Sequence, residues 1–205
     1  MQSRVPMRFV SLFAVVVVGV VGFLPSQPAV AATAELPFEP VFPQEVTATE
    51  FTNSFGQSRS GGRSHKGTDL LAPRMTEVYA IADGTVFFIG INNLSGRTIK
   101  IDHGEGWESY YLHLNNDNIG TDDGAAPWSL TVAPGVREGV EVVAGQHIGW
   151  VGDSGNAEGT TPHTHFELHI NGRAVNAYDT LTEAQARALE LELASRLHTD
   201  AYDVE

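Results

Sequence analysis

Short runs of alternating apolar and polar residues dominate the middle of the chain. Each run is rich in Val, Ile, Thr and aromatic residues and is bounded by glycine-bearing turns, which is typical of β-strands whose successive side chains point to opposite faces. Asn171-Gly172 directly after the last run predicts a tight hairpin. We therefore predict a mainly β fold, with a single antiparallel β domain over residues 46–178 that contains a central sheet and a groove. The predicted strands are Val78–Ala82, Thr85–Ile91, Thr98–Asp102, Trp107–His113, His147–Gly152 and His163–Ile170.

The two flanks of this domain have different patterns. Residues 32–45 contain three prolines with little periodicity, which predicts an extended proline-rich arm. Residues 179–205 predict one amphipathic C-terminal helix and a tail, because Thr182 and Gln185 have the spacing of a capping box. A helical stripe of apolar residues supports this helix: Ala186, Leu189, Leu193 and Leu197.

Residues 1–31 have the organisation of a secretory signal peptide. Arg4 and Arg8 precede an apolar run over residues 9–24, and small residues follow up to Ala31. The run is shorter than the roughly 20 apolar residues that span a bilayer. We expect cleavage near Ala31, a secreted or cell-envelope location and no stable membrane anchor. An uncleaved anchor is the alternative.

Composition limits the available chemistry. The chain has no cysteine, so a cysteine nucleophile, a disulfide and a thiolate metal ligand are all excluded. Any metal must be held by His, Asp or Glu. With 25 acidic and 12 basic residues and a net charge of −13, the chain is not expected to bind nucleic acid.

Candidate metal ligands occur in two segments. In HTHFELH, residues 163–169, strand alternation places His163, His165, Glu167 and His169 on one face. In SHKGTDLLAP, residues 64–73, a loop enters a buried strand, so the tertiary fold must bring its histidine and aspartate to a metal. Nitrogen and carboxylate ligands suit zinc, and three protein ligands leave a position for water, as in hydrolases. Alternation alone does not decide whether His163 or His165 is the ligand.

Four motifs, in this order along the chain, resemble the lysostaphin-type (LytM-like) zinc endopeptidases that cut peptidoglycan peptides. The motifs are His65-Lys66-Gly67-Thr68-Asp69, Tyr111-Leu112-His113-Leu114, Gly152-Asp153-Ser154-Gly155 and Pro162-His163-Thr164-His165-Phe166-Glu167. The resemblance implies one zinc ion per chain, held by His65, Asp69 and His165. It also implies that His113 and His163 are catalytic and assist the water and the developing oxyanion.

The function implied by this resemblance is a secreted zinc metalloendopeptidase that hydrolyses peptide bonds in peptidoglycan cross-bridges or stem peptides. One alternative is a non-catalytic cell-wall-binding or amidase-activating module on the same scaffold, which would typically lack a ligand. Another is a zinc peptidase that acts on ordinary secreted proteins.

Several residues near these motifs carry weaker signals. Ser154 in the GDSG segment is similar to a serine-protease nucleophile, but the absence of cysteines favours a structural serine. If His113 faces the cleft, alternation predicts that Tyr111 faces it too, while Trp107 fits the core or the cleft equally well. Glu167 is expected to orient His165 or to face solvent.

The remaining polar residues are not expected to bind the metal or to take part in catalysis. His169 lies about 13 Å beyond His165 on an ideal strand, so we expect a rim or packing residue. His103 is expected in a turn, and His147 has no assigned role. Residues 114–135 are long enough to wall the groove, and their acids match no calcium-loop spacing, so we expect these acids to face solvent.

Overall fold

The computed structural model describes residues 36–202, with side chains up to residue 198. The expected signal peptide lies outside the described residues. The elements are β1 (Ser58–Arg59), β2 (Arg63–Ser64), β3 (Thr68–Leu71), β4 (Glu77–Tyr79), β5 (Gly84–Asn92), β6 (Gly96–Gly104), β7 (Trp107–Leu114), β8 (Glu141–Val142), β9 (His147–Trp150), β10 (His163–Ile170), β11 (Arg173–Val175) and α1 (Tyr178–Tyr202). The predicted antiparallel β fold with one C-terminal helix is confirmed. Across residues 36–202, no helix is both long and apolar enough to span a membrane.

A large antiparallel sheet provides the frame of the domain. Its strands follow the order β11-β10-β7-β6-β5-β8, and β3 also pairs with β10. One face of this sheet packs against the small sheet formed by β4 and β9, and the core lies between them. The opposite face, which we call the open face, carries partly or fully exposed side chains such as those of Lys100, Tyr110 and Asp102. Fully buried core residues from both sheets include Ile99, Ile101, Tyr111, Phe166, Val78 and Ile148.

The hairpin between β10 and β11 fixes the register of the histidine-rich strand. Asn171 and Gly172 have φ of 49° and 73°, as a tight hairpin turn with two positive φ angles requires. Ile170 therefore pairs with Arg173, as the sequence predicts. A slip of one residue would turn His165 and its neighbours towards the core, so this short turn indirectly sets the site.

Strand β7 contains a bulge at His113. Ile99 lies opposite Tyr111, and Arg97 lies opposite Leu114, so β7 has one more residue than β6 in this interval. His113 adopts a φ of 60°, which is uncommon for a residue other than glycine. Bulges re-aim side chains, and this one breaks the alternation of the strand.

The bulge corrects the prediction for Tyr111. Its side chain is fully buried in the core instead of facing the cleft. The Tyr111 hydroxyl accepts hydrogen bonds from the Ile81 N–H at 2.8 Å and from Ser109 Oγ at 3.0 Å. Trp107 is also a core residue. Alternation from His113 gives the wrong face because the extra residue resets the pattern between positions 111 and 113.

The described part of the proline-rich arm lies along the domain. Val41 N–H donates to the Ile81 carbonyl and Tyr79 N–H donates to the Pro43 carbonyl, both at 2.8 Å. Phe42 is buried in the hydrophobic core. From residue 36 onward, the arm is therefore part of the domain's packing.

Helix α1 begins earlier than the sequence predicts, so the predicted capping box is wrong. Asn176 Oδ1 accepts from the Tyr178 N–H at 3.1 Å and caps the helix. Thr182 already lies inside the helix, where its hydroxyl donates to the Tyr178 carbonyl. Leu181 and Ala184 provide the buried face. The predicted stripe is exposed: Ala186, Leu189, Leu193 and Leu197.

Candidate active site and metal centre

Three candidate ligands meet at the edge of the open sheet face. His65 Nε2 lies 3.0 Å from Asp69 Oδ1 and 2.9 Å from His165 Nδ1, and His165 Nδ1 lies 2.9 Å from Asp69 Oδ1. Among the described residues, these three form a group whose donor atoms could hold one metal ion. A tetrahedral zinc site with bonds of roughly 2.1 Å separates its ligand atoms by roughly 3.4 Å, so a small opening of this triangle would accommodate zinc.

Local backbone geometry brings these residues together. Asp69 on β3 lies directly opposite His165 on β10. His65 precedes β3 in a loop, where its N–H donates to the Gln57 carbonyl at 2.8 Å. Gly67 lets this loop pass close to β10, because a Cβ there would lie 2.2 Å from the Phe166 carbonyl oxygen. The glycine in the His65–Asp69 motif is therefore a steric requirement.

Each candidate ligand is held by a further contact on its other polar atom. His65 Nδ1 lies 2.9 Å from the Ser54 carbonyl oxygen, so its N–H points there and Nε2 keeps its lone pair for the cluster. Glu167 Oε1 lies 3.0 Å from His165 Nε2, as the sequence suggested. Arg59 Nη2 donates to Asp69 Oδ2 at 2.6 Å, which leaves Oδ1 to the cluster. Such partners orient metal ligands in proteins.

The electrostatics of the cluster favour positive charge between the three donor atoms. Burial opposes ionisation of Asp69, but hydrogen bonds from His165 and His65 outweigh it and hold the Asp69 pKa far below its ordinary value. Burial likewise raises the pKa of Glu167, yet hydrogen bonds from His165 and His169 lower it to about 2. Two ionised carboxylates therefore flank the imidazoles, a donor set that fits a divalent cation.

Two further histidines lie beside the cluster without joining it. The rings of His113 and His163 are 5.2 Å apart, and His163 Nε2 lies 3.9 Å from Asp69 Oδ1. His113 Nδ1 lies 2.8 Å from the Ser154 carbonyl, and His163 Nδ1 lies 2.7 Å from the Thr161 carbonyl. Both Nδ1–H groups are thereby engaged, so each neutral ring keeps an Nε2 lone pair that can accept a proton.

Comparison with known proteins agrees with this geometry. The model of peptidase family M23 matches residues 63–126, which contain His65, Asp69 and His113. The catalytic domain of the antimicrobial peptidase lysostaphin from Staphylococcus simulans has a similar structure, with a TM-score of 0.52 and 27% identity over 67% of this chain and 95% of that chain. The β domain of this chain thus resembles the M23 peptidases in sequence and in fold.

Two curated relatives are similar to part of this chain. The DD-carboxypeptidase/endopeptidase Mpg of Neisseria meningitidis is 37% identical over 114 residues, which are 56% of this chain and 22% of that protein. The peptidoglycan DD-endopeptidase ShyA of Vibrio cholerae is 34% identical over 113 residues, 55% of this chain and 22% of that protein. The matched part of the chain thus spans about a fifth of the length of these relatives.

Burial favours the neutral form of His113. Burial lowers its pKa to about 4, so the ring should stay neutral from about pH 8 to about pH 5 in the metal-free protein. Because the folded-state pKa lies below the unfolded value, the free energy of unfolding should decrease as pH falls from about 6.5 towards 4. Nitrogen NMR of the ring, assigned with a His113→Gln variant, measures this. A midpoint near pH 6.5 would refute it.

Ser154 has the contacts of a structural residue, as the sequence indicates. It is buried, and its hydroxyl donates to the Leu114 carbonyl at 2.6 Å and accepts from the Arg97 N–H at 2.8 Å. Ser154→Ala should lower the free energy of unfolding by about 1–3 kcal/mol, because two buried backbone groups lose their partner. Urea unfolding beside the exposed control Ser129→Ala measures the effect. Loss of all hydrolysis in folded, metal-loaded Ser154→Ala protein would indicate a catalytic serine instead.

The acids of the 114–135 segment correct another prediction. Asp117 is buried instead of facing solvent, and Arg74 lies within 3.2 Å of it. The same guanidinium contacts Asp122 at 2.8 Å and Asp153 at 2.6 Å. Arg74 therefore supplies the positive charge in this acidic group and ties the segment to the loop before β10.

The other histidines lie outside the cluster of candidate ligands, and one of them, His103, differs from its prediction. His169 is buried and stacks on Tyr110, with ring centroids 4.1 Å apart. His103 lies in β6 instead of a turn, and its ring bridges the Asp83 carbonyl and Ser109 Oγ. His147 belongs to the small sheet, away from the cluster.

Sequence reasoning missed two arginines at this site. Arg59 is ten residues from Asp69, and Arg74 is 79 residues from Asp153. Neither pair has a helical or strand spacing that would reveal it. The only available signal was that a chain with few basic residues carries Arg59 and Arg74 on either side of the His65–Asp69 motif.

Proposed function

We propose that this chain is a zinc metalloendopeptidase that hydrolyses peptide bonds in peptidoglycan, with His65, Asp69 and His165 as the ligands of one zinc ion. The observation that carries the proposal is the meeting of three donor atoms within 3.0 Å of one another, each oriented by a second contact. Two M23 relatives are named as peptidoglycan DD-endopeptidase and DD-carboxypeptidase/endopeptidase, which supports this substrate class.

The roles of the residues follow from their contacts. Zinc, when bound, supplies Lewis-acid chemistry and lowers the pKa of water to about 7. His113 and His163 keep acceptor nitrogens beside the cluster, so they take up a proton from the attacking water and return one to the leaving amine. Once protonated, the same rings donate hydrogen bonds to the developing oxyanion. His113 is buried, which keeps its ring neutral before reaction.

The complete set of residues argues against a binding-only role. A non-catalytic module would have no need for two neutral imidazoles held by backbone carbonyls beside a finished ligand triangle. Arg59 and Glu167 also hold the ligands as catalytic metal sites require. We therefore propose catalysis and not wall binding alone.

Hydrolysis of purified peptidoglycan by the zinc-loaded chain tests the proposal. We expect release of peptide amino groups that disappears after chelation and returns with zinc, and no comparable cleavage of casein. Metal-free, inactive protein that still sediments with cell walls would support a binding module. Cleavage of casein at a similar rate would support a general secreted peptidase.

The proposed location is the cell envelope or the exterior. Relatives that are named for action on peptidoglycan support this location. Export through a signal peptide in residues 1–31, with cleavage near Ala31, is part of the same proposal. Intact-mass measurement of the exported protein checks the cleavage position.

A further inference from the structure

Lys100 lies on the open face of the large sheet, in the same cross-strand row as the metal centre's supporting glutamate. Lys100 on β6 is opposite Tyr110 on β7, and Tyr110 is opposite Glu167 on β10. Residues directly opposite one another in antiparallel strands point to the same face. Lys100 therefore shares a face with Glu167 and with His165, two residues earlier on β10.

Aromatic rings hold the Lys100 ammonium, and among the residues with described side chains no carboxylate pairs with it. Its Nζ lies 4.1 Å from the ring centroid of Tyr110 and 5.1 Å from that of Phe88. Within residues 36–198, no aspartate or glutamate forms an ion pair with it. This is notable in a chain with 25 acidic residues. Aromatic faces hold a cation in place without neutralising it, so Lys100 can still pair with an anion.

Neighbouring acids restrict where such an anion could bind. Glu108 and Asp102 oppose each other one step further along the same face, and the Tyr110 hydroxyl donates to Glu108 at 2.6 Å. These acids repel an anion from the end of the strands that is remote from the metal centre. Glu167, on the side towards the site, is buried and has its two oxygens bound to His165 and His169, so this side of Lys100 is the favourable one.

The distance between Lys100 and the metal centre suits an extended peptide. Two strand spacings of roughly 4.8 Å place the Lys100 backbone roughly 10 Å from that of Glu167. An extended peptide advances roughly 3.3 Å per residue, so this interval corresponds to about three residues. The ligand His165 lies two residues further along β10, which makes its backbone roughly 12 Å from that of Lys100, so an anionic group at Lys100 would lie about three to four residues from the bond at the metal centre.

We propose that Lys100 binds a free carboxylate of the peptide that is cut, which makes the substrate an anionic stem peptide and not a run of glycines. A glycyl bridge has no carboxylate to offer at that distance. The inference rests on the proposed function, because it assumes that the peptide crosses the open face from the metal centre.

A pair of synthetic crosslinked stem peptides tests the proposal, one with free carboxylates and one with the same groups amidated. The wild-type chain should have a KM about 10-fold lower for the carboxylate peptide, the size expected for one charge-assisted hydrogen bond. Lys100→Gln should remove this difference by raising the KM for the carboxylate peptide alone, with kcat and zinc content unchanged. Lys100→Arg should keep most of the preference.

Arg173→Gln is the control, since it removes a positive charge from edge strand β11 outside this row. Equal wild-type KM values for the two peptides would overturn the role of Lys100 and leave the proposed function intact, and this comparison needs no variant. An equal loss on both peptides in Lys100→Gln would overturn it as well. Failure of the zinc-loaded wild type to cut either peptide would instead count against the proposed function.

Discussion

Replacing His65, Asp69 or His165 by alanine should strip the metal from the chain and abolish peptidoglycan hydrolysis. Each change leaves two of the three donor atoms that lie within 3.0 Å of one another, whereas a catalytic zinc site uses three protein ligands. The loss of zinc affinity should exceed the roughly 10–100-fold cost of removing a partner that only orients a ligand. Elemental analysis after dialysis against buffered free zinc measures it.

Two further variants make this experiment quantitative. Glu167→Gln weakens the support of His165 without removing a ligand, so its zinc affinity should fall by roughly 10–100-fold. His147→Ala, a histidine change in the small sheet, should leave zinc binding unaltered. Full zinc content in His165→Ala would contradict the proposed ligand set.

Replacing His113 or His163 by alanine should leave about one zinc per chain but slow hydrolysis by roughly 10²–10⁴-fold, the usual contribution of a positioned acid–base group. Both rings lie beside the three donor atoms, and both direct Nδ1–H to a backbone carbonyl. The rate of hydrolysis and the zinc content must be measured on the same samples, so that loss of a base is separated from loss of metal.

This comparison also resolves the ambiguity within the HTHFELH strand. His165 Nδ1 lies 2.9 Å from Asp69 Oδ1, and His163 Nε2 lies 3.9 Å from the same atom. The distances favour His165 as the ligand. A His163→Ala protein without zinc beside a His165→Ala protein with zinc would reverse the assignment.

The sequence predicts those features of the fold that depend on neighbouring residues. The hairpin follows from Asn171-Gly172 because few residues adopt two successive positive φ angles. The common face of His163, His165 and Glu167 follows from strand alternation, whereas the choice of ligands among the candidate residues rests on the resemblance to the lysostaphin-type enzymes and stays a prediction. These predictions needed only a few consecutive positions.

The errors arise where tertiary structure overrides the local pattern. One inserted residue in β7 separates the faces of Tyr111 and His113, and no turn residue marks that position. In the sequence, Asp117 resembles a solvated acid, because Arg74 lies 43 positions earlier. Only the tertiary fold places Arg74 in contact with it. The predicted helix cap is wrong because Asn176, and not Thr182, accepts a hydrogen bond from a backbone N–H at the start of the helix.

The backbone conformation of His113 lowers stability at a residue for which a catalytic role is proposed. Its φ of 60° costs free energy in any residue with a side chain, and glycine or asparagine would adopt it more cheaply. The hydrogen bond from His113 N–H to the Ser95 carbonyl and the ring contact with Ser154 offset part of that cost. Selection for stability alone would therefore favour another residue at this position, as expected if His113 has the proposed catalytic role.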